Sequence, residues 1–147
     1  THSDIVGNIK ISPNNFLNFD YNFSLDNNLD TTNYNFINTS ISVNNFVTTF
    51  EFMEENNLIG NESYIGNKTS YNLNKNNSLG FSTRKNKRTN ITEFYNLIYE
   101  YKNDCLVAGI EYNKEYYTSN AIKPEEQIFF SITIVPFGKA TGPNINK

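Results

Sequence analysis

Residues 17–25 read Leu-Asn-Phe-Asp-Tyr-Asn-Phe-Ser-Leu. In an extended chain successive side chains point to opposite faces, so Leu17, Phe19, Tyr21, Phe23 and Leu25 fall on one side and Asn18, Asp20, Asn22 and Ser24 on the other. A helix would scatter both sets around its axis. The same period of two recurs along the chain. Ile37, Thr39, Ile41 and Val43 alternate with Asn38, Ser40 and Ser42, and Phe46, Thr48, Phe50 and Phe52 with Thr49 and Glu51. Further runs are Thr69, Tyr71 and Leu73; Leu79 and Phe81; Tyr95, Leu97, Tyr99 and Tyr101; Leu106, Ala108, Ile110 and Tyr112; and Ile128, Phe130, Ile132 and Ile134. With a shorter run over Ile5–Ser12, the pattern predicts an all-β chain of about nine antiparallel strands near ten residues each, the length that crosses a bilayer when tilted.

The connections set the topology. Pro13-Asn14-Asn15, Asn44-Asn45, Lys75-Asn76-Asn77 and Lys102-Asn103-Asp104 read as tight turns, and 26–32, 54–63, 86–90 and 118–126 as longer loops. Short and long connections alternate, as at the periplasmic and extracellular ends of an outer-membrane barrel built from meandering hairpins. Tyr34, Tyr64, Tyr99, Tyr101, Tyr116 and Tyr117 lie toward strand ends, where interfacial aromatic girdles form. A soluble β-sandwich or solenoid also alternates polar and apolar residues. Against it stand the strand length and a second face of Asn, Ser, Thr, Glu and Lys, suited to a wet lumen.

Composition agrees with strands. Apolar residues make up 37%, and the aromatics, 12 Phe and 10 Tyr with no Trp, favour sheet over helix. Asn is abundant and often paired, which suits turns because Asn tolerates left-handed backbone; an AT-rich genome would give the same abundance. The net charge of -3 supplies no electropositive field for nucleic acid. No apolar run is long enough for a membrane helix, and no signal-peptide pattern opens the chain, so a membrane would be met through strands. The start at Thr1 without methionine suggests residues 1–147 as a single partial domain whose export signal lay upstream.

Chemistry is not signalled. The only His is His2, at a terminus, which leaves no base for a Ser-His-Asp or Cys-His arrangement. Adjacent acids Glu54-Glu55 and Glu125-Glu126 sit in predicted loops, where solvation is the usual explanation. One Cys and one remote His build no zinc site, so no cofactor and no metal is expected and the chain is read as a non-enzyme. Arg84, Lys85, Lys87 and Arg88 form the one dense basic cluster. It reads either as a contact for lipopolysaccharide phosphates or as a solvated loop. Cys105 follows a predicted tight turn. In an oxidising compartment it would seek a partner outside this chain, closing a long loop for about 2–4 kcal/mol; otherwise it is a free, half-buried thiol.

Four stretches together resemble the C-terminal barrel region of the lipopolysaccharide-assembly outer-membrane protein, also called organic solvent tolerance protein. They are YNFSLDNNL at 21–29, SVNNFVT at 42–48, YEYKNDCLVAG at 99–109 and PEEQIFFSITIVPFG at 124–138. The resemblance implies a very large transmembrane barrel in a Gram-negative outer membrane, with this chain supplying about its last nine strands. It implies lipopolysaccharide as cargo, a plug lipoprotein in the lumen, and periplasmic bridge proteins reached through an upstream N-terminal domain. It also implies a disulfide from Cys105 to a cysteine of that domain. Relatives often carry two adjacent cysteines, whereas Leu106 follows here.

The closing strand, Gln127-Ile128-Phe129-Phe130-Ser131-Ile132-Thr133-Ile134-Val135-Pro136-Phe137, would form the lateral seam through which lipopolysaccharide leaves. Pro136, lacking an N–H, would weaken the ladder there or simply end the strand. The alternatives to a lipopolysaccharide translocon are another transport barrel, porin-like or a siderophore channel, and a soluble carbohydrate-binding or adhesin sheet. An isolated wall of this kind would leave two free edges and an apolar face to aggregate in water.

Overall fold

The computed structural model describes residues 3–56, 61–116, 124–134, 138–141 and 145–146, the last two stretches as backbone only. The described chain is all-β. Nine long strands run β1 (Ile5–Asn14), β2 (Leu17–Leu25), β3 (Thr32–Val43), β4 (Phe46–Glu55), β5 (Ser63–Asn72), β6 (Asn77–Asn86), β7 (Ile91–Lys102), β8 (Leu106–Glu115) and β9 (Glu125–Ile134). Each pairs antiparallel with the next, giving one uncrossed meander, as the alternation predicts.

Two short strands were not foreseen. β10 (Gly138–Thr141) and β11 (Ile145–Asn146) fold back along β9, pairing with its residues 131–134 and 127–128. Strands of four and two residues, with Gly142-Pro143 in the sequence between them, offer no alternation to read. The anticipated seam strand is therefore flanked on both sides, by β8 and by this tail. Val135, Pro136 and Phe137 lie outside the described residues. At the other end of the sheet β1 pairs only with β2, so its outer edge is open among the described residues.

Asparagine makes the turns. At four of them an Asn side chain replaces the missing turn hydrogen bonds. Asn14 Oδ1 accepts from the N–H groups of Phe16 and Leu17 at 3.2 and 2.9 Å, and Asn74 Oδ1 from those of Asn76 and Asn77, both at 2.9 Å. Asn86 Oδ1 serves Arg88 and Thr89, and Asn103 Oδ1 serves Cys105 and Leu106. These are Asx turns, in which a short side chain mimics a backbone carbonyl. Asn44, at the β3–β4 turn, takes φ 51°, the left-handed region Asn tolerates. The connections on this side of the sheet are short throughout. On the opposite side, 26–31, 56–62 and 116–124 are longer, while 87–90 is no longer than the short turn at 73–76.

The register is staggered. Starting from Asn14 at the short-turn end of β1, the pairing passes through Leu17, Ile41, Thr48, Thr69, Phe81, Leu97 and Tyr112 to Ile128. Ile128 is six residues short of Ile134, where β9 meets the short-turn side. Six residues span about 20 Å and eight strand spacings about 38 Å, so the strands lean by about 30° from the perpendicular to the row of turns. Closing a sheet into a barrel requires such a lean.

Among the described residues nothing covers either face. The accessible surface is 10470 Å², against about 7,700 Å² for a compact chain of this mass. Among the described residues no apolar side chain is buried, and Phe50, Leu97 and Ile132 are each nearly half exposed. A core is ordinarily buried between two packed layers; the described residues form one layer.

Candidate functional site

The register sorts every side chain, because residues opposite one another in a ladder project to the same face. Leu17 pairs Ile41, Tyr21 pairs Ile37, Ile37 pairs Phe52 and Phe52 pairs Ile65. Farther along, Phe81 pairs Leu97, Tyr99 pairs Ile110 and Ile110 pairs Phe130. These rows make one apolar face running the width of the sheet. Toward the short turns it carries Phe46, Tyr71, Leu79 and Tyr99 in one row, with Tyr101 one step beyond. Toward the longer loops it ends in charge. Lys114 Nζ bonds Glu126 at 2.6 Å and lies over the Tyr116 ring, and the Lys87 ammonium sits 4.7 Å from the centre of the Phe52 ring.

Tyr99, Tyr101 and Tyr116 thus occupy girdle-like positions. Tyr34 and Tyr64 do not: the register puts them on the polar face, opposite Glu55 and Met53. Tyr117 lies outside the described residues. Counting back from a strand end gives proximity to an interface but not the face, which the alternation within each strand fixes: Tyr34 is out of step with Ile37, and Tyr64 with Thr69 and Tyr71.

Three polar side chains near the middle of the apolar face satisfy one another. Thr48 and Thr69 hydroxyls are 2.8 Å apart, Thr69 donates to Asn67 Oδ1 at 3.0 Å, and Asn67 Nδ2 returns to Thr48 Oγ1 at 3.0 Å, a closed cycle. The same amide also donates to the Thr49 carbonyl at 3.2 Å, and Thr83 Oγ1 donates to the Phe94 carbonyl at 2.9 Å. Thr48 is only 7% exposed on a face where its apolar neighbours are open. Water would satisfy such groups one at a time; mutual satisfaction is the arrangement a hydrocarbon environment demands.

The opposite face is polar. On β1 and β2, Lys10 pairs with Asp20 at 3.3 Å, while Asn8 and Asn22 also donate to that carboxylate. On β7–β9 the face carries Glu100, Glu111, Glu115 and Glu125 by register. Near its middle, Glu51, Gly66, Arg84 and Phe94 form one row across β4–β7.

The basic cluster is not gathered into one site. Arg84 is ion-paired to Glu93 on the polar face, with its guanidinium 5.1 and 5.8 Å from the ring centres of Tyr64 and Phe94. Arg88 ties the β6–β7 turn to the β4–β5 loop through the Glu55 carbonyl and Asn56 Oδ1, at 3.2 and 2.7 Å. Lys87 covers Phe52, and Lys85 stands opposite Ile65 on the apolar face. Strand alternation puts Arg84 and Lys85 on opposite faces, and a β-bulge in β7, where Glu93 is the extra residue, brings Glu93 to Arg84. Cys105 is an exposed free thiol at the short β7–β8 turn. Among the described residues no group of His, Cys, Asp and Glu is placed to hold a metal, and no helix is long and apolar enough to cross a membrane.

The faces and pairing define a class of architecture, a single-layer antiparallel meander with one apolar and one polar face. No protein-family model, curated protein or solved structure matches the chain.

Proposed function

We propose that this chain is part of the wall of an outer-membrane β-barrel that passes lipopolysaccharide into the outer leaflet, with the polar face lining the lumen. The observation that carries the membrane reading is the apolar face, uncovered among the described residues, on which Thr48, Thr69 and Asn67 close their hydrogen bonds on one another. Ten residues leaning by about 30° stand about 26 Å tall, the height of the apolar band of outer-membrane barrels, ~25 Å. Short turns then face the periplasm and Cys105 lies on that side, where a partner cysteine of an upstream domain would reach it. The plug lipoprotein would occupy the polar face, and bridge proteins would engage the upstream domain. For β9 to close a seam with another strand, β10 and β11 would have to leave its edge.

One observation favours a second reading, a channel for small solutes. Glu100, Glu111, Glu115 and Glu125 give the β7–β9 lumen wall a negative field that attracts cations and repels lipopolysaccharide phosphates. The deciding experiment uses the full protein in bacterial outer membranes. A mobility shift on reduction that Cys105→Ser abolishes supports the translocon. A shift-free protein that conducts cations in planar bilayers supports the channel, and recovery in the soluble fraction refutes both.

A further inference from the structure

Gly66 lies at the centre of the row Glu51, Gly66, Arg84 and Phe94. Its neighbours on the same face of β5 are Tyr64 and Lys68, two residues away on either side. A missing side chain is thus framed by a carboxylate, a guanidinium, a phenol and an ammonium, and these groups line a cavity on the polar face. Strand geometry sets its span at about 10 Å across the strands and about 13 Å along them. The walls are chemically distinct. Arg84 is already matched by Glu93 and held over two aromatic rings, so it braces the wall rather than offering a free charge. Glu51 and Lys68 then balance, leaving a socket without net charge that has an acceptor on one side, a donor on another and an aromatic ring beside them.

We infer that this socket binds one neutral pyranose unit of a saccharide. A sugar ring presents apolar C–H groups on its faces and hydroxyls around its rim. An aromatic ring beside a carboxylate and an ammonium meets both needs, as sites with an apolar surface and a few placed polar groups do. The missing side chain at Gly66 provides the depth, and the Glu51 carboxylate reaches its edge, with Oε2 3.8 Å from where a Cβ would stand. The inference rests on the barrel reading only in taking the polar face as the side from which the ligand arrives.

Gly66 also supplies the test. A Cβ built there meets the Thr83 carbonyl at 3.6 Å and Glu51 at 3.8 Å, ordinary contact distances. Gly66→Val therefore fills the socket with a residue that strands favour. The whole chain, refolded in detergent micelles, is titrated with maltotriose, mannotriose and galactotriose, and amide NMR shifts are followed at Tyr64, Gly66 and Ser82. Saturable shifts with at least one probe at millimolar concentration, weakened tenfold or more in Gly66→Val and in Tyr64→Ala, support the socket. Binding untouched by Gly66→Val, no saturable shift with any probe, or shifts with inorganic phosphate alone would each overturn it. Protease protection of the same chain in phospholipid vesicles reads the membrane proposal separately, so failure of one is distinguishable from failure of the other.

Discussion

Phe81 and Ser82 are consecutive residues near the middle of β6, and they point to opposite faces. Phe81 lies on the apolar face, 38% exposed, stacked on Tyr95 at a centroid distance of 6.5 Å, with Thr69 and Leu97 opposite. Ser82 lies opposite Lys68 and Asn96 on the polar face. If the apolar face meets hydrocarbon, Phe81→Arg places a guanidinium near the bilayer midplane, which costs about 2–4 kcal/mol on the lipid face of a barrel. That lowers the folded-to-unfolded ratio ~30- to ~1,000-fold, since each 1.4 kcal/mol is tenfold. Ser82→Arg puts the same charge one residue away into water and should stay within about 0.5 kcal/mol of wild type. The assay is guanidinium unfolding of the chain in phosphatidylcholine vesicles, followed by far-ultraviolet circular dichroism. In water an exposed Phe→Arg change is close to neutral. Equal midpoints for the two variants would therefore refute the assignment of the apolar face to lipid.

Three further outcomes follow from local geometry. Gly7→Ala places a Cβ 2.3 Å from Phe23 Cζ, so the ring must leave its position over the glycine; a loss of about 1–3 kcal/mol is expected, and a loss undiminished in the Phe23→Ala background would show that the ring is not the cause. Asn74→Ala leaves the Asn76 and Asn77 amides without their acceptor and should cost about 1 kcal/mol, read from the unfolding midpoint; no change would mean that water replaces the side chain. Thr48→Val breaks the closed cycle with Asn67 and Thr69. It should cost about 1–3 kcal/mol in vesicles and less in detergent that admits water, so equal losses in both would argue against a dry face.

The alternation of Leu17 to Leu25 and its repeats was enough to place nine strands and the faces of their side chains, because a period of two has no other structural meaning. The short turns were legible for a chemical reason: Asn at 14, 74 and 103 accepts backbone hydrogen bonds that no neighbouring strand supplies, whereas 86–90, read as a longer loop, is a tight turn of the same kind made by Asn86. What stayed hidden depends on partners distant in sequence. The bulge opposite Arg84–Lys85, where β7 carries Glu93 as an extra residue and brings it to Arg84, has no local pattern to announce it. Tyr34 and Tyr64, by contrast, sit at strand ends but on the polar side, which the alternation of their own strands already implies and the pairing agrees with. The socket at Gly66 has a sequence signal only in retrospect, a glycine inside an otherwise regular strand.

The unequal edges of the sheet determine how copies would associate in water, away from any membrane. Among the described residues β1 offers ten residues with an unpaired outer side, whereas the far edge is formed by two pieces of four and two residues. Head-to-tail joining of one edge to the other would repeat without limit and make fibres, but it needs two good edges. Pairing of β1 with β1 of a second copy uses the same surface twice, is satisfied by a two-fold axis and stops at two. In dilute aqueous solution edge association should end at a symmetric dimer, and loss of the tail would convert a closed assembly into an open one.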